Sequence, residues 1–73
     1  MSVGEQQIEM LTDTLFSLDE PWRSRFLALV ARTAIGDSWN GSPPKRAQIA
    51  TWLRDLRLYR DVTQLLEAWH IPD

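Results

Sequence analysis

The sequence predicts an all-α fold, one compact four-helix domain over residues 1–73, on three observations. Apolar side chains recur at the three- and four-residue spacing that collects them on one face of a helix. Most glycines and prolines stand at the ends of these periodic stretches. Residues that typically start a helix precede the stretches. The helices are therefore predicted over about 3–17, 20–34, 43–54 and 56–69.

The first helix is predicted from a start signal and a narrow apolar stripe. Ser2 fits the N-cap and Glu5 the third helical position of a capping box, in which each side chain satisfies a backbone N–H. The apolar stripe behind this signal is formed by Ile8, Leu11, Leu15 and Leu18. Glu5, Glu9 and Asp13 lie on the opposite side of the helix, and we name these three residues the acidic ridge.

The second helix is predicted to begin at Asp19 and Glu20, because an acidic cap followed by a proline is typical of helix starts. Its main apolar face is formed by Trp22, Phe26, Leu29 and Val30. Gly36 ends the helix, since glycine readily adopts the left-handed backbone that follows a helix. Leu27 lies beside the main face and widens it. This second apolar side predicts a further contact, with the loop, another helix or a second subunit.

Residues 43–69 are predicted to form two helices that start after a loop over 36–42 and the signal Ser42-Pro43-Pro44. Their apolar positions fall on two faces about 130° apart, which a straight helix cannot bury in one core. The first face holds Ile49, Trp52, Leu53 and Leu56, and the second holds Leu58, Tyr59, Val62, Leu65, Leu66 and Trp69. A break near 54–57 with Asp55 as N-cap resolves the conflict.

An alternative for this region is one continuous helix that buries its two faces against two different molecules. No glycine or proline lies between Lys45 and Ile71 to prevent it. In either case His70 is expected to cap the last turn, where the helix dipole favours a cation, and Pro72 ends the helical pattern.

Composition argues against an enzyme. There is no cysteine and no glycine-rich phosphate loop, and the single histidine, His70, stands next to no recognisable nucleophile. We therefore expect no catalytic residue, no metal site and no cofactor. No apolar run approaches the ~18 residues of a membrane span, and the first ten residues lack the basic start of a signal peptide. A cytoplasmic protein is expected.

Nucleic-acid binding is the alternative function, carried by the basic residues of the third and fourth helices. These residues are Lys45, Arg46, Arg54, Arg57 and Arg60. Such clusters bind phosphates, yet the net charge of -2 is unlike that of most nucleic-acid-binding domains. Arg57 is also expected to pair with Asp61 one helical turn later.

The tryptophans divide into two groups. Trp22, Trp52 and Trp69 lie on the apolar faces of three helices and are predicted to meet in the core. Trp39 lies in a polar loop, where it either folds back as a plug over the core or projects as an anchor for a partner.

The leading function is a small non-catalytic protein–protein interaction or assembly subunit that self-associates as a homo-oligomer. A chain of 73 residues buries only about 60% of its unfolded surface, and no disulfide can stabilise this one, so a partner subunit would enlarge its core. The acids of the ridge repel one another, so either the ridge is simply solvated, or the basic face formed by Arg25 and Arg32 relieves the repulsion within one chain or between copies. The predicted contact residues are Leu27, Trp39, Arg25, Arg32, Glu5, Glu9 and Asp13.

Overall fold

A computed structural model of the chain describes residues 3–69. The described residues form four α-helices and no strand, which confirms the all-α prediction. The helices are α1 (Glu5–Phe16), α2 (Trp22–Ile35), α3 (Arg46–Trp52) and α4 (Leu56–Trp69). One short 3-10 turn, Gly36–Ser38, lies in the segment that was predicted as a loop. The predicted break between the last two helices is also confirmed, so the continuous-helix alternative is wrong.

The start of α1 differs from the prediction. Gly4 is the N-cap, and its backbone N–H donates to the Gln7 side-chain oxygen at 3.4 Å. Glu5 is the first residue of the helix rather than the third, and its carboxylate pairs with Arg54, just after α3, instead of capping its own helix. Ser2, His70 and Pro72, to which the sequence assigned helix ends, lie outside the described residues.

The acidic start signal of α2 is present, although the helix itself begins at Trp22. The Glu20 carboxylate accepts hydrogen bonds from the Ser24 backbone N–H at 2.9 Å and from the Ser24 hydroxyl. It also pairs with Arg23 at 3.5 Å. The Ser24 hydroxyl and N–H, assisted by the Arg23 charge, lower the pKa of Glu20 below its ordinary value of 4.5.

Glu20 therefore makes the free energy of unfolding depend on pH in the acidic range. Because its folded pKa is lowered, the stabilisation is present above about pH 4.5 and is lost as the pH falls through the folded pKa. In Ser24→Ala we expect the pKa of Glu20 to rise towards 4.5, as followed by NMR titration of the carboxyl carbon. The control is Ser17→Ala. The Ser17 hydroxyl donates to the Asp13 backbone carbonyl, so its removal is expected to leave the pKa of Glu20 unchanged. An unchanged Glu20 titration in Ser24→Ala would refute this capping contact.

The α3 helix is shorter than predicted, because the residues expected to start it have other partners. The Asn40 side-chain oxygen accepts from the Ser42 backbone N–H at 3.0 Å and from the Ser42 hydroxyl, which closes a turn with Gly41 at a φ of 88°. Lys45 is the N-cap, with its backbone N–H bonded to the Gln48 side chain at 2.8 Å. The helix ends at Trp52, and the fully buried Leu53 caps it.

Asp55 caps α4 as predicted. Its carboxylate accepts from the backbone N–H groups of Arg57 at 2.9 Å and Leu58 at 3.4 Å. In Asp55→Ala we expect the free energy of unfolding to fall by about 1 kcal/mol, whereas Asp55→Asn retains most of the cap. Urea denaturation measures both. Asp61→Ala, an exposed acid within the same helix, is expected to change stability by less than about 0.5 kcal/mol, and an equal loss in the two alanine variants would contradict the cap.

The core is organised around α2, which packs against each of the other three helices. The buried apolar residues are Ile8, Leu11, Leu15, Phe26, Leu27, Val30, Ala31, Ile49, Leu53, Leu58 and Val62. The α1 and α3 helices also pack on each other, whereas α4 packs chiefly on α2. After α2 the chain changes direction at Gly36, whose φ of 56° is rare for other residues. Between residues 3 and 69, no helix combines the length and the apolar character needed to cross a membrane.

Candidate interaction surface

The main departure from the predicted core is the position of two tryptophans. Trp22 and Trp69 are each 39% exposed, and Leu65 is 44% exposed. The two indole rings are in contact, with centroids 5.5 Å apart, and Phe26 meets Trp69 edge-on at 5.6 Å. The predicted meeting of these aromatic rings is therefore confirmed, but it takes place at the surface. We name Trp22, Leu65 and Trp69 the tryptophan surface.

The packing of α4 explains this exposure. The start of α2 lies beside the end of α4, and the buried residues of α4, Leu58 and Val62, are both in its first half. Because no other helix packs substantially on α4, the second half of its apolar face reaches beyond the core. Periodicity identified this face correctly, but it could not tell which part of the face the rest of the chain covers. Trp52, the third predicted core tryptophan, is half-buried.

Two grooves flank the Trp22–Trp69 pair. The first, the acidic groove, has a volume of about 650 Å³ and is lined by Thr14, Ser17, Leu18, Asp19, Trp22, Leu66, Glu67 and Trp69. The second, the apolar groove, has a volume of about 380 Å³ and is lined by Trp22, Arg25, Phe26, Leu29, Leu65, Ala68 and Trp69. The aromatic pair lines both grooves, and we name these two adjoining grooves together the depression.

The charges around this depression are separated and unpaired. Arg25, beside the apolar groove, lies over the Trp22 ring at 5.1 Å from its centroid. Asp19 and Glu67 border the acidic groove. Within residues 3–69, neither acid forms an ion pair, and Arg25 has no carboxylate partner. A base in one groove and two acids in the other are therefore exposed next to the aromatic rings.

The acidic ridge is docked on α3. Arg46 forms an ion pair with Asp13, and Arg54 pairs with Glu5 at 3.2 Å. These contacts replace the predicted relief by Arg25 and Arg32 of α2. All four side chains are more than half exposed, so each pair contributes little to stability on its own. The two end residues of the ridge, Glu5 and Asp13, therefore form ion pairs within the chain, and Glu9 lies exposed between them.

Leu27, Arg32 and Trp39 also have contacts inside the chain. Leu27 is buried in the core, so its second apolar contact is intramolecular. Trp39 is half-buried, and its Nε1–H donates to the Ser42 carbonyl at 2.8 Å, which ties the loop together. The Arg32 guanidinium lies 5.9 Å from the centre of the Trp39 ring. Of the predicted partner-binding residues, only Arg25 lies beside the tryptophan surface.

The basic residues nominated for nucleic-acid binding are interleaved with acids. Arg46 and Arg54 are engaged by the ridge. Arg57 and Asp61 both line a separate groove at the α3–α4 junction, but they form no ion pair, which corrects the predicted one-turn pair. The remaining bases are both exposed, Lys45 at the N-cap of α3 and Arg60 within α4. Phosphate binding needs a cluster of free cations, and the pairing of Arg46 and Arg54 with acids reduces the number of free cations among these five residues.

Comparison with known proteins adds no family to this description. The chain matches no known protein-family model, and neither the curated proteins nor the solved structures compared with it show significant similarity.

Proposed function

We propose that this chain is a small, non-catalytic protein-interaction subunit that self-associates through the tryptophan surface. The observation that carries the proposal is the exposure of Trp22, Leu65 and Trp69 along two adjoining grooves. Interaction sites are often contiguous apolar patches, whereas single exposed apolar residues are ordinary, and these three residues adjoin one another. Tryptophan is also among the residues that contribute most binding energy when an interface buries them.

The occupant we propose is a second copy of the chain. The depression carries unpaired charges of both signs, so two identical surfaces can satisfy one another. A small core without disulfides gains stability when a second subunit covers its exposed apolar face. A cytoplasmic location completes the proposal, because a chain without cysteine suits a reducing compartment.

Sedimentation velocity of the native chain tests this function. We expect a reversible monomer–dimer equilibrium between about 10 µM and 1 mM, because a surface with few anchors gives a weak interface. The average mass rises with concentration from the monomer value of 8.5 kDa towards twice that value. A strict monomer throughout this range would contradict the proposal and leave the tryptophan surface to a different protein.

A further inference from the structure

We infer that the two copies pack face to face about a two-fold axis that runs along the Trp22–Trp69 pair, so that Arg25 of each copy meets the acidic groove of the other. The inference rests on the self-association proposed above and specifies its geometry. The surface is self-complementary in this arrangement, because its base and its acids border two different grooves that share the aromatic pair.

The geometry follows from what each groove contains. The two grooves share Trp22 and Trp69 and differ in the charges at their borders. A two-fold rotation about an axis along the shared pair lays the apolar groove of one copy over the acidic groove of the other. Arg25 then approaches Glu67 and Asp19 of the second copy, and the same contact occurs twice because the interface is isologous.

The opposite arrangement has an electrostatic cost. If like grooves faced each other, the two Arg25 side chains would meet on one side and four carboxylates would meet on the other. Juxtaposed like charges at an interface disfavour association and thereby set which orientation forms. The Trp22 and Trp69 rings lie on the axis in the proposed arrangement, so both copies bury their aromatic pairs at the centre of the interface, where anchors contribute most.

Charge reversal tests this geometry with two variants that repel themselves and attract each other. In Arg25→Glu the new acid meets Glu67 of an identical partner, and in Glu67→Arg the new base meets Arg25. We expect the Kd of each homodimer to rise about tenfold, since two rim pairs change from attraction to repulsion. Each substitution suits its helix terminus, because an acid stands near the start of α2 and a base near the end of α4.

The decisive sample is an equimolar mixture of the two variants. In the heterodimer both contacts become attractive again, so its Kd is expected to return to the native value in about 0.1 M salt. Near 1 M salt, where charges are screened, the heterodimer is expected to be no tighter than either homodimer of the variants. The control is Arg60→Glu, an exposed base on α4 that lines neither groove, and its dimer is expected to match the native one. Circular dichroism verifies that each variant is helical.

The outcomes separate the geometry from the function. If the native chain dimerises but the mixture associates no better than either variant alone, the two-fold arrangement is wrong and self-association stands. If the native chain is monomeric at every concentration, both proposals are wrong.

Discussion

Replacing Ile49 by alanine is expected to destabilise the chain by about 2–5 kcal/mol, because it removes a fully buried side chain where α3 packs on α1 and α2. A domain of this length holds only roughly 4–11 kcal/mol in total, so the variant is expected to be partly or wholly unfolded. Ile49→Val keeps most of the packing and is expected to cost about 0.5–1.5 kcal/mol. Thermal and urea unfolding measure both effects.

The matched control for Ile49 is Met10, a large apolar residue of α1 that is 62% exposed. Met10→Ala removes a similar volume from the surface and is expected to change the free energy of unfolding by less than about 0.5 kcal/mol. Comparable losses at Ile49 and Met10 would mean that the hydrophobic core is not where α3 meets α1 and α2.

Replacing Leu65 by glutamate is expected to weaken self-association at least about 100-fold while leaving the fold intact. Leu65 is 44% exposed, so a glutamate is readily accommodated in the monomer. In the dimer the substitution places two added carboxylates, one from each copy, against the acidic groove of the other copy, where burial and like-charge repulsion both oppose association. Sedimentation velocity measures the dissociation constant, and urea unfolding at low concentration measures the stability of the monomer.

Ile35→Glu is the control for Leu65→Glu. Ile35 ends α2, is 37% exposed and lines neither of the grooves beside the tryptophan pair. It carries the same change from an aliphatic side chain to a carboxylate at similar exposure. We expect its dissociation constant to equal that of the native chain. Equal losses of association at Ile35 and Leu65 would show that added charge, rather than the tryptophan surface, controls association.

The sequence predicted the fold class because its helical repeat and its helix-start residues agree with each other. Asp55 illustrates this agreement: a change of apolar face required a break, and an N-cap residue stood at the break. The ends of α3 were harder to predict. Ser42 resembles a helix start, but it is bonded to Asn40 in a turn, and a local pattern does not reveal which of two hydrogen-bonding partners the serine will have.

The candidate site could be predicted only in part. The apolar face shared by Leu65 and Trp69 was visible in the sequence, and Arg25 was identified as a contact residue. The exposure of that face depends on which part of it the other helices cover, and only α2 packs substantially on α4; periodicity does not encode this. The same limit explains the acidic ridge, whose cationic partners lie 33 and 49 residues away in α3 and just after it rather than in the neighbouring helix.

The most direct test of the account is an NMR dilution series that follows the four tryptophan indole N–H signals of the native chain. We predict that the signals of Trp22 and Trp69 shift together as the chain is diluted from about 1 mM to 10 µM, because dissociation returns both rings to solvent. Those of Trp39, bonded to the Ser42 carbonyl, and of the half-buried Trp52 are predicted to remain in place. Stationary Trp22 and Trp69 signals, or shifts of equal size in all four, would contradict self-association through the tryptophan surface.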